Sequence, residues 1–355
     1  MRASLGAAAV IISLVLGSTG CVGEPASKVV IKVDDELRQQ MVAITTSISG
    51  GGASFPDAYY QAVNVDFNAI VGSEVVTYAK SGSSDGRAQL GARTLDFAGS
   101  DSLPKDDEKL PADLLFFPTV AAPITISYNL PEVPELKLGP ETLALIFQAE
   151  LTTWDAPEIR ADNPGVKLPD RPIFVVHRSD GSGTTKNFTT YLSSAAPATW
   201  RLGAGDEVSW PRSTQGAEKN SGVAEVIKTT TGAIGYADLG DAAKAELQIA
   251  RVRNSSGNYM LPSADAVAEA LTGSAISPNL TFDPLNARTP GAYPITAPTW
   301  ILVSASQPAS AAESLRVYLR FLLGPAQDQA LALGYVPLPS DLAEKANAQI
   351  DRISS

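Results

Sequence analysis

The chain has 355 residues, with 27 lysines and arginines against 38 aspartates and glutamates, one cysteine and one histidine. Its formal net charge of −11 argues against nucleic acid or an anionic membrane surface as the main partner, and a lone cysteine excludes an intrachain disulfide. A single histidine and a single cysteine cannot build a His/Cys metal cluster, and nothing in the composition calls for a metal or cofactor; the length allows one large domain or two ordinary ones.

Met1-Arg2 is followed by an apolar run from Ala7 to Leu16 and by the small residues Gly17-Ser18-Thr19-Gly20 before Cys21. A basic start, an apolar run too short to span a bilayer and a small-residue cut site predict a signal peptide over 1–20. Cys21, directly after Gly20, resembles the lipidated cysteine of a bacterial lipobox, although Ser18 stands where leucine is usual. Lipidation there would hold the exported protein on the outer face of the cell membrane; a soluble periplasmic or secreted protein is the alternative. Residues 21–47 read as a tether that could include one short helix.

Gly50-Gly51-Gly52-Ala53-Ser54-Phe55-Pro56 opens the mature domain. Tyr59, Tyr60, Val63 and Phe67 follow at helical spacing, with Ser54 at the capping position, Pro56 in the first turn and Phe55 free to wall a pocket. Val75–Ala79 reads as a strand feeding Ser81-Gly82-Ser83-Ser84-Asp85-Gly86 and another helix. Leu95–Asp101 reads as a short strand ending in a carboxylate. The proline-punctuated run 116–128 suits a crossover between two domains, and Glu141–Phe147 is an amphipathic helix.

The run Ile173–Val176, with Pro172 before it, predicts a buried strand. His177-Arg178-Ser179-Asp180-Gly181-Ser182-Gly183-Thr184-Thr185-Lys186 follows, and then Phe188, Tyr191 and Leu192 at i, i+3 and i+4. Ser182 is placed to cap that helix, and Gly183 lets a guest approach the backbone. Unpaired amides of the first turn favour an anion, and Arg178 adds a forked cationic donor. The pattern is neither a Walker loop nor a nucleophile elbow. His177 reads as a strand-end residue rather than a base. Further on, Gly232–Tyr236 reads as a buried strand, 293–296 with 300–303 as a second crossover, and Ala311–Leu323 as a helix stopped by Gly324-Pro325. Strands alternating with helices predict α/β layers with mainly parallel sheets.

Six segments together resemble the phosphate-binding protein of bacterial ABC phosphate importers. They are Gly-Gly-Ala-Ser-Phe-Pro at 51–56, Gly-Ser-Ser at 82–84, Asp-Phe-Ala-Gly-Ser-Asp at 96–101, Arg-Ser-Asp-Gly-Ser-Gly-Thr at 178–184, Gly-Ala-Ile-Gly-Tyr at 232–236 and Tyr-Pro-Ile-Thr at 293–296. The resemblance implies a two-lobed clamshell of the periplasmic binding protein type with two extended hinge crossovers. Lobe I would comprise 48–121 plus 296–355, and lobe II 122–295. It implies phosphate ligands Ser54, Phe55 (through its amide), Ser83 and Asp101 from the first lobe, and Arg178, Ser182, Gly183 and Thr184 from the second. Asp180 would hold Arg178 by an ion pair. It further implies a non-enzymatic monomer that delivers inorganic phosphate to the permease subunits of an ABC importer. Asp85 departs from the family's small residue and would oppose an anion unless it points outward or is neutralised by Arg87.

A carboxylate suits phosphate because both ions present near neutral pH keep a P–OH that Asp101 can accept. Fully ionised sulfate would set acceptor against acceptor, at a cost of at least about 1–3 kcal/mol. Two alternatives stand beside this reading: a binder of sulfate or molybdate, and a secreted phosphoesterase using Ser182 or Ser83.

Overall fold

The computed structural model describes residues 31–355. The expected signal peptide and Cys21 lie outside the described residues. Within the expected tether, Asp35–Val42 is a helix capped by the Asp34 side chain, with Leu37 and Met41 buried. It packs on two helices of lobe I, Asp57–Val71 and Ala309–Leu323, so this part of the 21–47 segment is docked rather than free. No helix among the described residues is long and apolar enough to cross a membrane.

One curled sheet carries the molecule. Eight of its ten strands run in the order Val76–Lys80, Ile48–Gly52, Phe97–Ser100, Thr296–Ser304, Leu114–Tyr128, Ala233–Asp238, Phe174–Arg178 and Gln215–Ala217; the short strands Gln248–Ile249 and Val336–Pro337 also pair with Leu114–Tyr128. The outer strands of each half pair in parallel, as the strand–turn–helix pattern predicts. The centre does not: Thr296–Ser304 and Leu114–Tyr128 pair antiparallel with each other and with their outer neighbours. The expectation of mainly parallel sheets is therefore corrected to a mixed sheet. The reason lies in the crossovers, which run in opposite directions between the lobes and so meet antiparallel.

Leu114–Tyr128 is a single 15-residue strand that belongs to both lobes. From Leu114 to Pro123 it pairs with Thr296–Ser304, and from Ile124 to Tyr128 with Ala233–Asp238. Nearly every residue of it is buried, which is why it reads as a continuous apolar run rather than an alternating one. Its two prolines sit where the edge or a change of partner spares the missing N–H.

Each lobe covers its half-sheet with helices. In lobe I, Tyr59, Tyr60, Val63 and Phe67 are fully buried, and Phe67 meets Tyr318 edge-on at 5.3 Å. In lobe II, the helix Gly183–Ala195 buries Phe188, Tyr191 and Leu192, with Phe188 stacked on Tyr236 at 4.6 Å. One close approach shapes the first lobe. A Cβ on Gly86, in the helix Ser83–Gly91, would lie 2.5 Å from the Cα of Gly52, whose own φ is +127°. Alanine is intrinsically the better helix residue by about 1 kcal/mol. Gly86→Ala is nonetheless expected to destabilise the protein by about 1–3 kcal/mol through overpacking against backbone. Thermal unfolding checks this; a raised melting temperature would show that the contact yields.

Candidate functional site

The site forms where strands end and helices begin. The strands ending at Gly52, Lys80, Ser100 and Arg178 each release the chain into a loop at the same edge of the sheet, the usual place for ligands in α/β folds. Ser54, Phe55, Ser83 and Asp101 arrive from lobe I; Arg178, Ser182, Gly183 and Thr184 arrive from lobe II. All eight residues are buried.

Ser83 and Asp101 form the lobe I side. The Ser83 hydroxyl oxygen accepts from the Asp101 amide at 3.3 Å and from the Gly183 amide of the other lobe at 3.2 Å, and its proton points to Asp101 Oδ2 at 3.4 Å. Asp101 Oδ1 accepts from the Thr299 hydroxyl at 2.8 Å. Burial pushes the Asp101 carboxyl up to about 7, although the Thr299 hydroxyl, the Arg178 charge and the Ser83 hydroxyl all pull it down. Its side chain caps no helix. The lobes meet closely here, for a Cβ on Gly183 would fall 2.6 Å from Ser83 Oγ, so only glycine fits.

Arg178 forms the lobe II side. Its Nε donates to Asp180 Oδ1 at 2.7 Å, its Nη2 donates to Asp180 Oδ2, and its Nη1 donates to Asn220 Oδ1 at 3.1 Å. Three of five guanidinium N–H groups are thereby engaged, leaving two that donate to no group among the described residues. Asp180 is itself held by the Lys219 amide at 3.1 Å. Burial raises the Asp180 carboxyl, but the hydrogen bonds and charge of Arg178 outweigh it and hold the group below its ordinary value. The ion pair expected from the resemblance is therefore formed, and it fixes the direction of the guanidinium.

Ser182 caps its helix as predicted, accepting the Thr185 amide at 3.2 Å. Ser54 does not cap: the helix begins after Pro56, and Ser54 Oγ instead accepts the Asn220 amide across the lobes at 3.4 Å. The helix begins at Asp57, with Pro56 in the cap position, two residues later than a Ser54 cap would require. Phe55 is walled in, edge-on to Tyr335 at 6.4 Å, and its carbonyl accepts the Tyr335 hydroxyl at 2.7 Å. The amides of Phe55 and Thr184, both in buried residues, donate to no group among the described residues. Buried amides need acceptors, so these two mark where an anion would be seated.

Two contributors escape the sequence reading. Asn220 is fully buried and joins three of the expected residues, since its amide binds Ser54, its Oδ1 binds Arg178 and its Nδ2 donates to Thr184 Oγ1 at 3.3 Å. Thr299 reaches Asp101 from the returning hinge strand, where the register shifts between Thr299 and Trp300. Such an irregularity re-aims a side chain, and no local composition announces it.

Of the two alternatives left open for Asp85, the structure shows the outward one. Asp85 is exposed and its carboxylate accepts from Gln89 at 2.6 Å, so it points outward and needs no neutralising partner. Arg87 is turned the other way, fully buried against Glu108 at 2.6 Å. His177 is the next-to-last residue of its strand, with Nδ1 2.9 Å from the Arg178 carbonyl and its ring stacked on Trp210 at 4.7 Å. Ser182 Oγ is occupied by its own helix, and neither Ser182 nor Ser83 has His177 as a base.

Residues 40–326 match the PBP superfamily domain. The chain is 35% identical over 311 residues to the phosphate-binding protein PstS of Xylella fastidiosa, spanning 86% of this chain and 85% of that protein. To the phosphate-binding protein PstS of Pasteurella multocida it is 34% identical over 319 residues, spanning 86% and 91%. Among solved structures, PfluDING, a periplasmic phosphate-binding protein bound with phosphate, superposes with a TM-score of 0.71 at 23% identity, covering 86% of this chain and 94% of that one. The phosphate-binding protein of Stenotrophomonas maltophilia gives 0.66 at 21% identity, with coverage of 86% and 94%. These likenesses establish the two-lobed binding-protein fold.

Proposed function

Because the chain belongs to the PBP superfamily and, within it, to the PstS phosphate-binding proteins, we propose that it binds inorganic phosphate between its lobes and delivers it to an ABC importer. The observation that carries this reading is that the Arg178 guanidinium, the amides of Phe55 and Thr184 and the carboxyl of Asp101, contributed by both lobes, are all buried, with N–H groups left to donate. Donors alone would suit any tetraoxyanion; the carboxyl selects one that carries a proton. The cross-lobe bonds Ser83 to Gly183 and Ser54 to Asn220 are then exchanged for bonds to phosphate oxygens. Ser182 presents the first turn of its helix and Asp180 holds the arginine. Binding leaves the ligand chemically unchanged.

The lobes sample open and closed forms, and phosphate favours the closed one because it contacts both. The closed form offers the permease subunits a surface that the open form lacks. Anchoring through Cys21 would keep the protein on the outer face of the membrane, acting as a monomer. Small-angle scattering tests the closure: adding phosphate is expected to compact the mature protein, and an unchanged profile would overturn it.

Asn220 is assigned a positioning role, since it links Arg178, Thr184 and Ser54. Asn220→Ala is expected to weaken phosphate binding roughly tenfold, by removing one charge-assisted hydrogen bond and freeing the guanidinium. Calorimetric titration measures this, and an unchanged affinity would show that Asp180 alone aims the arginine.

A further inference from the structure

Beside the anion loops, the lobes touch at a second buried polar cluster built on Arg87. This guanidinium is fully enclosed. Its lobe I partners are Glu108, at 2.6 Å to Nε and 2.9 Å to Nη2, the hydroxyls of Ser100 and Ser102, at 2.9 and 2.8 Å, the Ser102 carbonyl at 3.4 Å and the Ser84 hydroxyl at 3.5 Å. One partner comes from lobe II: Asp206, 3.2 Å from Nη2. Asp206 is 2% exposed, and its other carboxylate oxygen accepts from the Ser102 hydroxyl at 2.5 Å. Both oxygens of this lobe II carboxylate are thus bound by lobe I.

Asp206 is also tied to the anion seat, because its carbonyl accepts the Ser182 amide at 3.0 Å. Opening the lobes would leave Arg87 with its lobe I partners and strip Asp206 of both carboxylate contacts. The energetic difference between open and closed forms at this cluster therefore resides in Asp206. The cluster borders a cavity of about 560 Å³ lined by Ser84, Lys105, Glu108, Lys109 and Glu207, among others, through which water can reach it as the lobes part.

We infer that Asp206, seated on Arg87 and Ser102, is an interlobe latch that sets how long the closed protein retains its ligand. It is a positioning residue that need not touch the ligand. The inference rests on the phosphate-binding reading above. A latch acts after the ligand has entered, so its loss changes the rate of leaving and not the rate of arrival.

Asp206→Asn in the mature protein tests this, since it keeps the shape and the Ser182 contact while removing the charge. Release of labelled phosphate into excess unlabelled phosphate is expected to quicken roughly ten- to hundredfold, with the association rate changed by less than about twofold. Ser102→Ala, should Asp206→Asn fold poorly, is expected to shift the release rate in the same direction by a smaller factor. A release rate unchanged in both variants overturns the latch, as does a loss confined to association. If the wild-type protein takes no phosphate, the proposed function fails instead. The latch is then judged by scattering of the ligand-free proteins: expansion in Asp206→Asn supports it and an identical profile refutes it.

Discussion

Arg178→Ala is expected to weaken phosphate binding by about 2–5 kcal/mol, roughly thirty- to several-thousandfold, the range for truncating one member of a buried charged contact. The guanidinium is buried, it retains two N–H groups for a ligand, and it is the cation aimed at the seat from lobe II. Its removal does more than delete donors. Asp180 would be left with the Lys219 amide and no cation, so a carboxylate would face the incoming anion. Arg178→Lys should recover only part of the loss, because an ammonium cannot bind Asp180 in two places and still present a fork. Calorimetric titration of both variants checks the order wild type, lysine, alanine. Near-wild-type affinity in Arg178→Ala would remove the arginine from the site.

The second large effect concerns selectivity. Asp101→Asn is expected to narrow the phosphate-to-sulfate affinity ratio by roughly tenfold or more, because the amide can donate where the carboxylate only accepts. The side chain keeps its size and the Thr299 hydroxyl can still donate to the amide oxygen, so the fold should tolerate the change. The wild-type protein should show the same effect through pH. With the carboxyl raised to about 7, acidification protonates it and turns it into a donor, so sulfate binding should strengthen as pH falls through about 7. In Asp101→Asn the sulfate affinity should not follow pH there.

The same shift has a stability consequence with a definite sign. A carboxyl raised from 3.8 to about 7 binds more protons folded than unfolded between those values, so its contribution to stability falls as pH rises across that window. Ligand-free Asp101→Asn should accordingly melt above wild type at pH 8, with the gap shrinking toward pH 5. A gap independent of pH would mean that Asp101 titrates normally.

Much of the fold was readable in the sequence because its signals are local. Short β-branched runs, glycine–hydroxyl turns and the 3.6-residue spacing of Tyr59, Tyr60, Val63 and Phe67 each act within about ten residues. The long crossover was legible for the same reason, as an apolar run buried on both faces. What local signals could not carry was strand direction at the centre of the sheet, which depends on how two segments about 180 positions apart meet. The site divides along the same line. Arg178, Asp180 and Ser182 share one loop, and their arrangement follows from it. Asn220 sits behind a plain Glu-Lys-Asn stretch, and Thr299 reaches Asp101 only through a register shift, so neither has a signature of its own. Ser54 misled as a cap because the helix starts two residues later, at Asp57; of the two alternatives left for Asp85 the outward one holds, while Arg87 turns inward to Glu108.

The most direct measurement is calorimetric titration of the mature protein with inorganic phosphate and, separately, with sulfate near pH 8, where Asp101 is ionised. The account predicts saturable binding of one phosphate per chain and no saturable heat from sulfate at the same concentrations. Equal binding of the two anions, or none of phosphate, would contradict it.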